Sequence, residues 1–305
     1  MMRICSLLPA ATEILFSLGL GDQIVGVTHE CDYPPEAKSK PIMVCSRLES
    51  DRAASTEVNR QVREAVASGR GLHNIDAAAL KSAAPDVIIT QGLCDVCALD
   101  YGEVMKAAQS LPKRPAVVSL SAHSLTEVLD DVLRLGEATQ REGEAAALVA
   151  LLQSRIVDVS RRATAPGTRP RVACLEWFEP VYTAGHWVPE MVELAGGRDA
   201  LGGKGKASRI VRWEEVLDAA PEIIVLMPCG FDLARTVQEM DVMEKLAGWS
   251  ELPAVRTGNV FAVDGNSYFS RPGPRLVDGL EFLAQVIHPE IFPGHAPLHA
   301  IQRTH

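Results

Sequence analysis

Two short stretches carry most of the chain's reactive side chains. "THECDYPP" runs from Thr28 to Pro35 and "QGLCDVCAL" from Gln91 to Leu99. Thiolate and imidazole are soft to borderline ligands for Zn, Fe, Cu(I) or Co. His29, Glu30, Cys31, Cys94 and Cys97 are therefore the candidate metal ligands. A bare ion needs three or four such donors within about 2.0–2.3 Å, whereas a metal already held by a chelator needs only one. Other readings stand beside these. Cys94-x-x-Cys97 is a ligand contact, a redox or disulfide pair, or packing. Cys31 alone is a small buried hydrophobe or a site residue. His29 is a ligand or a donor to a loop carbonyl.

The elements around these stretches fix where they sit. "RICSLL" reads as a strand, Pro9 suits a first helical turn, "AATEILFSLGL" continues with helical spacing, and "QIVGV" is the next strand. The helix "IDAAALKSAA", Pro85 and the strand "DVIIT" repeat the pattern. Such alternation with apolar strands predicts a parallel α/β sheet. Ligands of these sheets bind at the carboxyl ends of the strands. Both stretches follow strands, so both are expected on one edge of the sheet. "MPCGFD" (227–232) follows a repeat-related strand in the second half, which sets Cys229 to face Cys94 across a cleft. Glu176 and His186 extend the expected group, although His186, just before Pro189, also suits a capping role. Cys5, Cys45 and Cys174 are assigned to packing. The tail histidines have no metal spacing.

"AAPDVIIT" (83–90) resembles "AAPEIIVL" (219–226), and "SLGLGDQIVG" (17–26) resembles "ELAGGRDALG" (193–202). The two offsets differ, so one copy holds an insertion, assigned to 28–75. Between the copies, 141–164 is rich in Ala and Leu at helical spacing and would span roughly 35 Å. The expected fold is α/β: two Rossmann-like lobes with parallel central sheets joined by one long backbone helix. Expected boundaries are 1–123 for the first lobe, 124–168 for the connecting helices, 169–290 for the second lobe and 291–305 for a tail.

The chain has 305 residues, 47% hydrophobic and 23% charged, with a net charge of -9. It lacks the basic runs that would bind nucleic acid or an anionic membrane, and no apolar run is long enough to span a bilayer. Seven cysteines, an odd count, read as free thiols in a reducing compartment. Pro9 and Glu13 interrupt the N-terminal apolar run, so it reads as strand, turn and helix, not as a signal peptide. The expected location is cytoplasmic; a removed leader would place the protein in the periplasm or at the cell surface. No G-x-S-x-G, H-E-x-x-H or P-loop is present, and "GGKGKAS" has the wrong spacing. No enzyme is expected; thiol redox chemistry at Cys94 and Cys97 is the enzymatic alternative.

"RICSLLPAATEILFSLGLGDQIVGVTHECDYPPEA", "VYTAGHWVPEMVELAGG", "AAPEIIVL" and "RPGPRLVDGLEFLAQVI" resemble the substrate-binding proteins of cobalamin and iron-chelate ABC transporters, the vitamin B12 type above all. The likeness runs from about Arg3 to Pro289. It implies two lobes, a backbone helix and ligand in the interlobe cleft. It also implies ligand contacts. Tyr33 stands where the family has a cleft tyrosine. Gln91 stands at a family aromatic, and so does Glu176, beside Trp177 and Phe178. Arg271 opens the last helix and either meets an anionic part of the ligand or forms an ion pair within its lobe. The family docks on its permease through one glutamate per lobe; Glu214 matches one position and Ala78 occupies the other. The expected function is capture of a corrinoid or related metal chelate without catalysis and with no required cofactor. The ligand would be cobalamin, another corrinoid or a bound transition metal, with an ABC permease as partner. Ligand-binding candidates are thus Tyr33, Gln91, Cys94, Cys97, Glu176, Trp177, His186, Cys229 and Arg271. The alternative is a cytoplasmic metal-binding protein using a Cys/His/Glu cluster at the cleft.

Overall fold

The computed structural model describes residues 1–48, 53–68, 71–92, 101–164, 167–294, 297 and 299–304. The chain forms two compact units, one made of Met1–Ala122 and Thr126–Ala150, the other of His123–Leu125 and Leu151–His305.

The first unit contains β1 (Ile4–Ser6), α1 (Pro9–Ser17), β2 (Ile24–Thr28), β3 (Ile42–Ser46), α2 (Ser55–Ala67), β4 (His73–Ile75), α3 (Ala77–Ala83), β5 (Val87–Gln91), α4 (Tyr101–Gln109) and β6 (Ala116–Leu120). Pro9 occupies the first turn of α1, where its missing N–H is no loss. Asp76 caps α3 by accepting the Ala79 N–H at 2.8 Å. Among the described residues the sheet order is β4-β3-β2-β1-β5-β6. The pairs β1–β2, β1–β5, β2–β3 and β5–β6 are parallel. The expected insertion supplies β3, α2 and β4, and β4 returns antiparallel to β3. Cys5, Val44, Leu80, Ile88 and Val104 form a core under this sheet.

Two helices follow, α5 (Leu125–Thr139) and α6 (Glu142–Ala163). α6 has 22 residues, about 33 Å at 1.5 Å per residue, and is the long helix read from 141–164.

The second unit contains β7 (Arg171–Trp177), β8 (Tyr182–Thr183), α7 (Val188–Leu194), β9 (Arg198–Asp199), β10 (Arg209–Ile210), α8 (Trp213–Ala219) and β11 (Ile223–Leu226). Then come α9 (Leu233–Glu239), α10 (Asp241–Glu244), α11 (Pro253–Arg256), β12 (Val260–Val263), α12 (Gly265–Tyr268), α13 (Leu276–Ile287) and β13 (Ile301–Arg303). The order is β10-β8-β7-β11-β12-β13, with β9 beside β7. β7, β11 and β12 are parallel, and β8, β10 and β13 run antiparallel to their neighbours. The tail expected at 291–305 therefore contains a paired edge strand. Ala173, Leu175, Ile224, Leu226, Trp249 and Leu252 form the core. The expected α/β class and mostly parallel sheets are borne out.

Candidate functional site

In the first unit the carboxyl ends of β1, β2, β3, β5 and β6 share one edge, because these strands are parallel neighbours. The loop after β2 is tied to β3: the His29 N–H donates to the Val44 carbonyl at 3.0 Å. The His29 ring Nδ1 lies 3.2 Å from the same oxygen, a carbonyl of strand β3 rather than of a loop. Its Nε2 is 4.0 Å from the Glu30 carboxylate. His73 opens β4 opposite Ser46, with its ring 6.3 Å from that of His29. Burial lowers the His73 pKa, the Glu30 carboxylate opposing that shift, and its Nδ1 is buried without a hydrogen bond. Sequence reasoning missed His73, because only the reversed direction of β4 brings it to this edge. Tyr33 is half-exposed at 46%. Gln91 ends β5, in register with Leu120.

Cys31 departs from the expected metal set. It is 3% exposed, and its Sγ lies 3.1 Å from Thr12 Oγ1 and 3.3 Å from Thr28 Oγ1. The thiol is buried beside two hydroxyls. Cys94 and Cys97 lie outside the described residues. Among the described residues no group of three or more His, Cys, Asp or Glu side chains is placed to hold a metal ion.

In the second unit, β7 and β11 bring Glu176, Trp177 and Cys229 together. The Cys229 N–H donates to the Glu176 carbonyl at 3.1 Å, and the thiol is exposed. Phe231, on the same loop, meets Trp177 edge-on at 5.3 Å between ring centres. Arg235 lies 3.7 Å over the other ring of this corner, Phe231, and pairs with Glu239 at 3.1 Å. Trp177 Nε1 is buried with no hydrogen-bond partner. The Asn266 N–H donates to the Phe231 carbonyl at 3.0 Å, and Arg271, 7% exposed, donates to Asn266 Oδ1 at 3.3 Å. The sequence named Trp177 but missed Phe231, whose place became clear only with the turn after Cys229.

His186 sits elsewhere, on the turn after β8, which runs antiparallel to β7. Its backbone is left-handed, φ 53, a conformation that costs a non-glycine residue about 1 kcal/mol or more. Its ring lies 5.5 Å from that of His123. The capping expectation fails: the residue preceding α7 is Trp187, and no side chain caps that end. Glu214 is exposed in the first turn of α8, and Ala78 is exposed on α3.

The chain as a whole is similar to known proteins. The chain is 28% identical to the uncharacterized ABC transporter substrate-binding lipoprotein YvrC of Bacillus subtilis, with 95% of this chain and 81% of that protein covered. It is 26% identical to a Vitamin B12-binding protein of Vibrio cholerae, covering 92% of this chain and 86% of that one. The crystal structure of a possible iron-binding (periplasmic solute-binding) protein of Staphylococcus epidermidis superposes with TM-score 0.72 at 26% identity, covering 94% and 98% of the two chains. Residues 4–266 match the family described as Periplasmic binding protein, and the chain belongs to that family.

Proposed function

We propose that this protein is the substrate-binding component of an ABC importer and that it captures a corrinoid or a related metal chelate without chemical turnover. The observation that carries this reading is the corner at the carboxyl ends of β7 and β11, where the partly exposed Trp177, backed edge-on by the buried Phe231, lies beside an exposed Cys229. An aromatic face buries large area at low entropic cost, so the Trp177 ring suits a flat macrocycle. The buried Arg271 beside Asn266 supplies a fixed cation for an anionic substituent. Tyr33 and Gln91 are the proposed contacts from the first unit, and Cys229 the proposed axial ligand. Glu214 is the proposed permease contact. The long likeness to a Vitamin B12-binding protein points the same way.

Of the relatives named above, one is a lipoprotein and one a possible periplasmic solute-binding protein, so we place this protein outside the cytoplasm with them. The cytoplasmic metal-protein alternative has no support. No described helix is long and apolar enough to cross a membrane.

The test is a titration with cyanocobalamin, dicyanocobinamide and ferric chelates, read by visible spectrum and melting temperature. A binder at a hundred times its Kd stabilises the fold by about 2.7 kcal/mol. Silence from every corrinoid would leave iron chelates; silence from every metal chelate would overturn the reading.

A further inference from the structure

His186 combines features that a purely structural histidine does not need. Its left-handed backbone, φ 53, is pinned on both sides: its N–H donates to the Lys206 carbonyl at 2.6 Å, and its carbonyl accepts the Gly205 N–H at 3.0 Å. Its Nδ1 is buried and makes no hydrogen bond, an omission that native folds rarely tolerate without a use. The ring of His123 stands 5.5 Å away at an interplanar angle of 40°, and the Trp187 ring is 5.5 Å off on its own side. Trp187 is itself fixed, its indole N–H donating to the Phe269 carbonyl at 2.8 Å.

This spacing fits coordination. Two imidazoles that bind one ion through nitrogens at about 2.0–2.1 Å, at neighbouring positions, hold their ring centres roughly 4.5–5.5 Å apart. No third donor joins them among the described residues, so the ion must bring the rest of its ligands. A planar macrocycle does not suit, because its two open positions lie on opposite faces.

We propose that His123 and His186 clamp a divalent ion of the nickel–copper–zinc group that keeps two neighbouring coordination positions open. These ions stand at the high-affinity end for imidazole sites. The site is independent of the chelate capture proposed above.

The probe is Ni(II)–nitrilotriacetate, which leaves two adjacent positions free, titrated calorimetrically into the full chain beside bare Ni(II). One equivalent should bind. His123→Ala and His186→Asn should each weaken binding by about a hundredfold, because the second imidazole acts at high effective concentration. Asn tolerates the left-handed backbone. The double variant should bind no worse than the weaker single one, and His299→Ala on the exposed tail should change nothing. Equal affinity for both nickel forms makes the bare ion the ligand; preference for the complex makes it a chelate; either outcome supports the clamp. Unchanged binding in His123→Ala, an exposed position that the fold tolerates, would overturn it, as would loss confined to His299→Ala. Titration of the same variants with the corrinoids and ferric chelates separates the two proposals: binding of those without nickel binding refutes the clamp alone, and nickel binding with silence from all of them refutes only the capture reading.

Discussion

Arg171 donates its backbone N–H to the Glu222 carboxylate at 2.9 Å and its guanidinium to the Ala220 carbonyl at 2.9 and 3.1 Å. The first unit repeats this: Arg3 donates its N–H to Asp86 at 2.9 Å and its Nε to the Ala83 carbonyl at 2.7 Å. In each unit the arginine stands at the start of the central strand and ties it to the end of the helix that leads into the neighbouring strand, β5 or β11. Those helices finish on Ala84 and Ala220, both left-handed at φ 40 and 43. Arg171→Met should lower stability by about 1 kcal/mol through the lost helix-end hydrogen bonds, read as a smaller urea midpoint at unchanged slope. Arg3→Met should do the same, and the two losses should add, since the residues share no partner.

Thiol reactivity distinguishes the cysteines. Cys45 and Cys229 are exposed, whereas Cys5, Cys31 and Cys174 are buried. Burial pushes the Cys5 thiol up to about 12 and raises Cys174 well above its usual range, which suppresses the reactive thiolate. In a Cys94→Ser, Cys97→Ser chain, a chromogenic disulfide reagent should label Cys45 and Cys229 in the native state and the others only in guanidinium. Native labelling of Cys31 would show that its thiol is accessible and restore it to the candidate metal ligands.

The repeated Ala-Pro units, the long helix and the second-unit loop with Cys229 were legible because each is a local signal: a left-handed helix end, an unbroken apolar period, a strand followed by turn residues. What the sequence hid depends on chain direction and side-chain choice. β4 looks like any short strand, and only its antiparallel pairing with β3 brings His73 beside His29. Cys31 stands in a polar loop, yet Thr12 from α1 and Thr28 from β2 turn its thiol inward. Nothing in "TAGHWVPE" announces a left-handed histidine, because the constraint comes from Gly205 and Lys206, twenty residues on.

Asp199 offers a pH test. Its Oδ1 accepts the Leu201 N–H at 3.1 Å and the Gly202 N–H, but its Oδ2 is buried and unpartnered. Burial raises its pKa above the usual 3.8, the two N–H groups opposing. The folded state thus holds this proton more tightly than the unfolded chain, and stability is lost as pH rises through the folded pKa. Asp199→Asn keeps an oxygen for the two N–H donors and removes the charge. It should melt higher than the parent at about pH 8, with the difference fading on acidification towards the unfolded carboxylate pKa, where both forms are neutral. A difference independent of pH would show that the carboxylate charge is not the cost.

Two glycines should respond in opposite directions to the same substitution. A Cβ on Gly185 would collide with backbone atoms of Lys206, Ala207 and Ser208, and backbone cannot rotate aside as a side chain can. Gly185→Ala should therefore cost about 1–3 kcal/mol, the usual range for overpacking. It should also displace the segment that pins His186 and weaken Ni(II)–nitrilotriacetate binding with it. A Cβ on Gly143 meets nothing within 4 Å, and the residue sits in the first turn of α6. Gly143→Ala should stabilise the fold by about 0.5–1 kcal/mol by restricting the unfolded chain. Thermal and urea unfolding of the two variants, run side by side, check both signs; a neutral Gly185→Ala would mean that the loop carrying His186 yields easily and cannot hold the imidazole in place.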